Sequence, residues 1–490
     1  MNVTFQKAKN GENTALIGNL YLHSSYNPQK EAQRFVENIQ APFLPDVIIL
    51  IEPCLSYILG YLRKRFPNTK IGAIRFSPSF NDFNSDFDFV LNYFSIEESF
   101  SQTLLNYLGE EKLLTTLFLS WEPAAKAFPE QNNSIWHLIK SSLENARTLL
   151  ITRQYFEKKW LTNSFNFFSN ITNTISLEKK IDLPVLIIAS GFSFTKNIHL
   201  VKDSQNCFFI ICLSSALKVC LENNIKPDLV LSTDGGYWAG QHLKSLNNSN
   251  IPLGITPESY CPKSILKNNL ILPLNYTDGL SSLISSFTNI SFLEAKRNGT
   301  ISGTALEFAV KYFTTDIYFM GLDLANHKGF QHAQDNELEL NNTLTDNRIN
   351  TRDKRLYRSE CNSSSMEIYL NWFISYNNKN RKIYRVIETQ YRKNDLHSIL
   401  DIDLQQFTKI TSKLSISDKK DLYEPGDFTI NRENFNNFLN TSFFENSTKQ
   451  SLYPLEYVYL KHDPENSEII KRIEKNHKLL YKKLWKIING

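Results

Sequence analysis

Four short polar segments, each directly behind an apolar run, carry the residue types that could do chemistry. Ser190-Gly-Phe-Ser193 follows Leu183–Ala189 and offers two hydroxyls, Gly191 and free backbone amides, a turn able to hold a phosphate or a ribose. Ser232-Thr-Asp-Gly-Gly-Tyr-Trp238 ends a second run. There Asp234 can accept from a sugar hydroxyl or ligate a metal beside Gly235, while Tyr237 or Trp238 can stack on a base or sugar face. Asn298–Thr304 opens an apolar helix with Thr300, Ser302, Gly303 and Thr304, hydroxyls and a glycine at an anion-friendly helix end. Met320-Gly-Leu-Asp323 closes a fourth run, and His327 and His332 follow. Imidazole titrates near neutrality, so both histidines are candidate general bases, and Asp323 joins them as a candidate catalytic residue that, like Asp234, can orient sugar or ribose hydroxyls. Every one of these segments also reads as an ordinary turn, cap or surface stretch.

The chain has no H-E-x-x-H, no zinc-ligand spacing, no Walker-type turn and no G-x-G-x-x-G. It also offers no serine or thiol nucleophile with evident partners. Nucleotide-linked group transfer fits what remains, with no metal required, although a divalent ion is compatible with Asp234 and Asp323.

The elements that must position these residues alternate. Asp46–Ile51 and Lys70–Phe76 read as strands around the helix Tyr57–Phe66. Further on, 183–189, 207–213, 227–233, 270–274 and 316–321 read as buried strands, with helices at Ser215–Asn223 and Gly303–Phe313. Such alternation predicts an open, largely parallel sheet with helices on both faces, and polar turns behind its strands converge at one edge. The organisation expected is an α/β N-terminal domain over 1–150, a helical linker over 151–180, a central domain over 181–365 and a helical region over 366–490. A polar stretch from about 335 to 365 is expected to be a long loop near the site. Glu468–Ile488 reads as a basic amphipathic helix with seven Lys and Arg, packed on its own protein.

With 490 residues, 41% hydrophobic and 13% aromatic, the chain can bury large cores, which excludes disorder as its main state. A net charge of +4 implies no strong field for nucleic acid. Six cysteines lie at 54, 207, 212, 220, 261 and 361 without a C-x-x-C pair, which suits a reducing compartment. No run of 18 apolar residues and no signal-like N-terminus is present, so the expectation is a cytoplasmic protein without a membrane span.

Taken together, Ile187-Ile-Ala-Ser-Gly-Phe-Ser193, Ser215-Ala-Leu217, Asn224-Ile-Lys-Pro-Asp228, Ser302-Gly-Thr-Ala305 and Gly321-Leu-Asp-Leu-Ala325 with Gln331-His-Ala333 resemble one known domain. It is the central domain of the motility-associated factor (Maf) flagellin glycosyltransferases, also known as MptE-like, after 6-hydroxymethylpterin diphosphokinase. Tyr21–Pro28 with Glu31, Ala32 and Arg34 matches the opening signature of that family, and Thr233–Ala239 with His242 and Leu243 is similar to a spirochaete-type subgroup. The resemblance implies a Rossmann-like fold akin to GT-A and small sialyltransferases. In those enzymes a G-x-G-P-S-L turn and a T-S-G helix start hold the nucleotide. These map to Ala189–Phe194 and to Ser302-Gly303. Ser215 and Thr300 join the nucleotide-binding set with the Asp234 turn. The family's base maps to His332, with His327 and the Arg352–Tyr357 stretch, Tyr357 included, nearby.

Two departures stand out. Ala189 replaces the first glycine of the turn and Phe192 its proline, and in the N-terminal domain Ile51–Tyr57 has lost the family's glycines. That domain is therefore expected to bind no nucleotide. The activity implied is transfer of a nonulosonic acid, of the sialic, pseudaminic or legionaminic type, from its CMP ester to Ser or Thr of flagellin. Two alternatives are a pterin pyrophosphokinase and a non-catalytic flagellar assembly or binding factor.

Overall fold

The computed structural model describes residues 3–93, 100–177, 179–247, 249–325, 332–349, 351, 354, 364–377, 381–416, 419 and 422–490. The chain divides into two compact units, Met1–Glu157 with Glu445–Leu479, and Lys158–Phe444 with Leu480–Gly490. The helical tail expected over 366–490 is thus shared between them.

The first unit opens with a small antiparallel sheet of β1 (Val3–Lys7), β2 (Asn13–Ile17) and β3 (Leu20–Tyr21). A parallel sheet follows, built from β4 (Val47–Ile51), β5 (Lys70–Arg75), β6 (Phe89–Asn92) and β7 (Thr116–Ser120) in the order β6-β5-β4-β7. All five residues of β4 are buried, as a strand covered on both faces requires. Because β4 has its successor on one side and β7 on the other, strand order reverses there, where doubly wound sheets open a ligand crevice.

In this unit the crevice is filled from within. Glu52, Cys54 and Ser56, directly behind β4, have φ of 41°, 50° and 63°. The backbone keeps the left-handed conformation that glycines usually supply, without the glycines. The carboxylate of Glu52 turns back into the loop and accepts from the amides of Cys54 (3.1 Å), Phe76 (2.6 Å) and Ser77 (3.3 Å) and from the Arg75 guanidinium (3.0 Å). Arg75 spends its other donors on Cys54 O, Ser56 Oγ, Phe83 O and Asn84 Oδ1. Both side chains are fully buried. Burial raises the Glu52 carboxyl, and Arg75 with the amide donors works against that rise. The opening signature also does structural work: Asn27 caps the helix Pro28–Glu37, Glu31 accepts from Ser24 N, and buried His23 accepts from Leu55 N.

The second unit carries β8 (Ile175–Ser176), paired antiparallel with a strand near its end, and a large parallel sheet. Its strands are β9 (Val185–Ile188), β10 (Phe209–Leu213), β11 (Leu229–Ser232), β12 (Leu253–Ile255), β13 (Ile271–Asn275), β14 (Leu293–Glu294), β15 (Ile317–Met320), β16 (Ile383–Val386) and β17 (Leu400–Ile402). The strand that meets β8 is β18 (Glu424–Pro425). Among the described residues the order is β14-β13-β12-β11-β10-β9-β15-β16-β17, and every pairing is parallel. β9 lies between β10 and β15, so the reversal of strand order falls at β9. The fold is α/β with a Rossmann-like parallel sheet, as expected.

The sheet is longer than the sequence suggested. β16 and β17 lie in the stretch expected to be helical because Arg385 breaks the apolar run of β16. That charge is hidden by its neighbour in register, Asp401 on β17, which accepts at 2.6 and 2.8 Å. The expected loop after 335 is also partly a helix, Glu337–Thr345, started by Asn336, whose Oδ1 accepts from Leu338 N. The linker is part of one helix, Pro129–Asn170.

Replacing Glu52 by Ala strands a buried guanidinium, at an expected cost of about 3–5 kcal/mol. Urea unfolding should record that loss, together with faster hydrogen exchange in β4. A cost below about 1 kcal/mol would refute the role given to the pair.

Candidate active site

Strand ends at the carboxyl edge of the large sheet hold the residues singled out by sequence. At the centre, Ser190 leaves β9 and its hydroxyl lies 2.8 Å from His332 Nδ1. Ser215, just after β10, donates its hydroxyl to Ser190 Oγ at 2.8 Å. Ser190 thus meets the imidazole, and Ser215 meets Ser190. His332 arrives on a segment pinned to the exits of two strands, β9 and β10. Ala333 N donates to Ser190 O (2.6 Å), Gln334 N to Thr195 Oγ1 (2.9 Å), and the buried Asn336 amide to Ser215 O (2.5 Å). Lys218 also donates to Asp335 O (3.1 Å), and His332 N donates to Glu339 Oε1 (3.2 Å). Burial, and after it the charge of nearby His242, pull the His332 imidazole down to about 4. The ring is therefore neutral at pH 7 and able to accept a proton.

Ser193 and Asp323 form a second knot. Asp323, four per cent exposed, accepts from Ser193 N at 2.8 Å and from the Ser193 hydroxyl. Its carboxylate caps the helix Phe192–Ser204, whose own N-cap, Gly191, supplies no side chain. This close seat explains two glycines. A Cβ on Gly191 would come within 2.3 Å of Gly321 O, and one on Gly321, whose φ is +75°, within 2.3 Å of Ala189 O. The backbones meet instead, Gly191 N donating to Gly321 O at 2.8 Å. An amide committed in this way is not offered to a substrate carbonyl, so the Ser190–His332 pair lacks the donor that an acyl-transfer elbow places next to its serine.

Asp234 stands exposed behind β11, where its carboxylate accepts from Gly236 N (3.0 Å). Gly235 lets the loop lie against Trp160, whose ring a Cβ would meet at 2.8 Å, and Tyr237 is largely exposed. The helix Ile301–Tyr312 begins at Thr300, whose side chain makes no capping bond. Ser302, Gly303 and Thr304 are buried, Gly303 beneath the Trp372 ring. Next to that start, Asn298 Nδ2 is buried without a partner among the described residues. An uncapped helix start beside an unpaired amide donor is suited to an anion.

Several residues here were missed in the sequence. Arg297 makes a bidentate pair with the buried Glu258 (2.8 and 2.9 Å), reaches Asp278 (3.0 Å), and lies between the rings of Tyr276 and Trp160 at 4.3 and 4.9 Å. Burial alone would lower Arg297, but these carboxylates raise it. Tyr276 in turn lies near Thr233 and Thr304. Tyr276 lies directly behind the expected strand β13, so strand-end position could have found it. Glu258 follows the three-residue β12, which its glycine concealed. His327 and Tyr357 lie outside the described residues, as do Arg352 and Cys361.

A parallel α/β sheet with polar loops gathered at its carboxyl edge is the class this geometry defines. Residues 158–329 match the family model described as 6-hydroxymethylpterin diphosphokinase MptE-like. An uncharacterized protein of Treponema pallidum (strain Nichols) is 33% identical over 236 residues, 47% of this chain and 51% of that protein. The chain spans about half the length of that curated relative. Among solved structures, a Maf glycosyltransferase from Magnetospirillum magneticum AMB-1 is similar with a TM-score of 0.51 at 12% identity, over 99% of this chain and 90% of that one. The likeness is one of fold. No helix among the described residues is long and apolar enough to cross a membrane.

Gly321→Ala combines backbone strain with a steric clash and should cost about 2–4 kcal/mol in urea unfolding; an unchanged midpoint would mean the two loops can part freely. A second outcome concerns pH. The folded protein holds His332 down to about 4 where the unfolded chain protonates it near 6.5, so its share of the stability is complete above pH 6.5 and lost as pH falls toward 4. Unfolding midpoints measured across that window should fall less steeply in His332→Gln than in the unaltered protein, and parallel slopes would contradict the assigned environment.

Proposed function

We propose that this chain is a glycosyltransferase that moves a nonulosonic acid from its CMP ester to Ser or Thr hydroxyls of flagellin. The observations that carry the reading are a neutral, firmly held His332 at the exit of β9 and a helix start at Thr300 whose cap residue makes no side-chain bond, both behind strands of one parallel sheet. The fold likeness to the Maf glycosyltransferase and the MptE-like match support it.

In this reading the donor phosphate lies against the amides at Ser302 and Gly303, with the Asn298 amide beside them. The acceptor oxygen attacks the anomeric carbon as the bond from that carbon to the phosphate oxygen breaks. The electron pair leaves with CMP, and the acceptor proton passes to Nε2 of His332, whose Nδ1 is held by Ser190. Asp234, exposed at its loop, orients sugar or ribose hydroxyls. The phosphate is not placed at the start of helix Phe192–Ser204, because Asp323 already fills that end. The same engagement of Asp323 disfavours the pyrophosphokinase alternative, which needs free carboxylates for Mg²⁺ at the phosphates.

Calorimetry with CMP and intact mass of flagellin after incubation with CMP-nonulosonates test the proposal. Ser302→Ala should weaken CMP by about tenfold or more. His332→Ala should lower turnover by about 10²–10⁴-fold with CMP affinity little changed. Flagellin left at its unmodified mass with every donor would overturn the transferase reading. Tight flagellin binding without CMP affinity would instead support an assembly factor, and ATP turnover with a hydroxymethylpterin a pyrophosphokinase.

A further inference from the structure

The function proposed above makes no use of the most positively charged element of the chain. The helix Ser467–Asn489 holds seven Lys and Arg against Glu468 and Glu474, a net +5, where the whole chain of 490 residues carries +4. The rest of the protein is thus close to neutral, and its positive charge is concentrated on this one element. One face of the helix is spent on packing, as its amphipathic pattern predicts. Ile473, His477, Leu480, Leu484 and Ile488 are buried, Tyr481 donates its hydroxyl to Asn440 Oδ1 (3.1 Å), and Asn489 Nδ2 donates to Asn436 Oδ1 (2.9 Å).

The opposite face is a row of ammonium groups. Lys471, Lys475, Lys478, Lys482 and Lys486 fall within about 80° of arc, along about 22 Å of helix. All five are exposed, as is Lys483 beside them. Arg472 reaches Glu456 at 3.8 Å, whereas none of the six lysines has a carboxylate partner among the described residues. Lys471 stands four residues from Lys475, Lys478 from Lys482 and Lys482 from Lys486, like-charge spacings that work against the helix. Solubility alone needs no such row, since interspersed signs supply it without that penalty. Flanking the row on either side, Leu479 is 57% and Trp485 49% exposed.

We propose that this row is a docking surface for an anionic lipid bilayer, on which the helix lies flat while its apolar face stays packed on the protein. The kinds of side chain present carry the assignment. Lysine is a point charge on a flexible stem, suited to a diffuse field of headgroups. The row contains no arginine, the residue that grips phosphates in fixed geometry along a nucleic acid. An exposed indole and an exposed leucine among the ammonium groups fit the headgroup level, where apolar tips enter and lysine stems keep their charges outside. The face is convex and formed by one helix, which favours a flat occupant over one that must supply a groove. At physiological salt charges act over about 8 Å, so neighbouring lysines along the row reinforce one another. The inference is independent of the transferase reading.

Sedimentation of the full chain with vesicles tests it, using phosphatidylcholine alone and phosphatidylcholine with about a third of phosphatidylglycerol. The chain should bind the anionic vesicles only, and raising the salt to about 0.5 M should release it. Reversing three charges, Lys475→Glu with Lys478→Glu and Lys482→Glu, should lower the partition by about 10²-fold or more. The milder Lys478→Gln with Lys482→Gln should lower it about tenfold or more, and matching thermal melts exclude loss of fold as the cause. Anionic vesicles should also shift tryptophan emission to shorter wavelength, a shift that Trp485→Phe removes. Equal binding to neutral vesicles, no binding to anionic ones, or binding indifferent to the lysine substitutions overturns the proposal. A chain that ignores vesicles but binds duplex DNA or polyglutamate through the same lysines overturns it as well. Vesicle binding in a protein without transferase activity would sink the proposed function and leave the docking surface standing.

Discussion

Backbone amides left over where a parallel strand turns into its next element must find an acceptor, and in both units the chain provides one of its own carboxylates. Behind β4 it is Glu52, accepting from three amides and from Arg75. Behind β9 it is Asp323, brought from the end of β15 to the amide and hydroxyl of Ser193. Each carboxylate sits where strand order reverses, the position at which related sheet architectures receive a ligand. The two cases differ in consequence. Glu52 is sealed by Arg75 and by a loop in left-handed conformation, so the first unit has a crevice already filled. Asp323 closes one helix end only, and at the second helix start the cap residue Thr300 makes no side-chain bond.

This division of labour accounts for the arrangement of the central site. With the helix Phe192–Ser204 capped, the backbones at Gly191 and Gly321 can touch, and Ser190 is left facing His332 instead of a phosphate. Ser215 extends the contact by one hydroxyl. On the other flank, Arg297 joins Glu258 by two hydrogen bonds and lies over the Tyr276 ring. One side of the rim therefore presents a held imidazole and the other a helix start without a side-chain cap.

Much of this was legible beforehand, for physical reasons that can be named. The β-branched runs at 47–51, 185–188, 209–213 and 317–320 announced strands because a strand buried on both faces has no polar alternation to blur it. Strand ends then pointed to Ser190, Asp234, Ser302 and Asp323. The partner of each was not legible, since Ser193 with Asp323 and Ser190 with His332 join positions 130 and 142 residues apart. The strand at 383–386 was hidden by Arg385, whose charge is cancelled by an in-register neighbour that no local pattern reveals. The helix at Glu337 was hidden by its polarity, because it is held by caps and by its own contacts with loops rather than by an apolar stripe.

The tether of His332 bears on how the molecule comes together during synthesis. A loop of 142 residues must close before Ser190 meets its imidazole, and the hydrogen bonds that seat the ring draw on exits from β9 and β10 alike. A nascent chain that has emerged only as far as β15 can already pair most of the sheet, yet it holds no proton acceptor there. The seat of His332 thus forms late and in a single step, and any lesion that disturbs the sheet near its middle unseats that ring before it unfolds the chain.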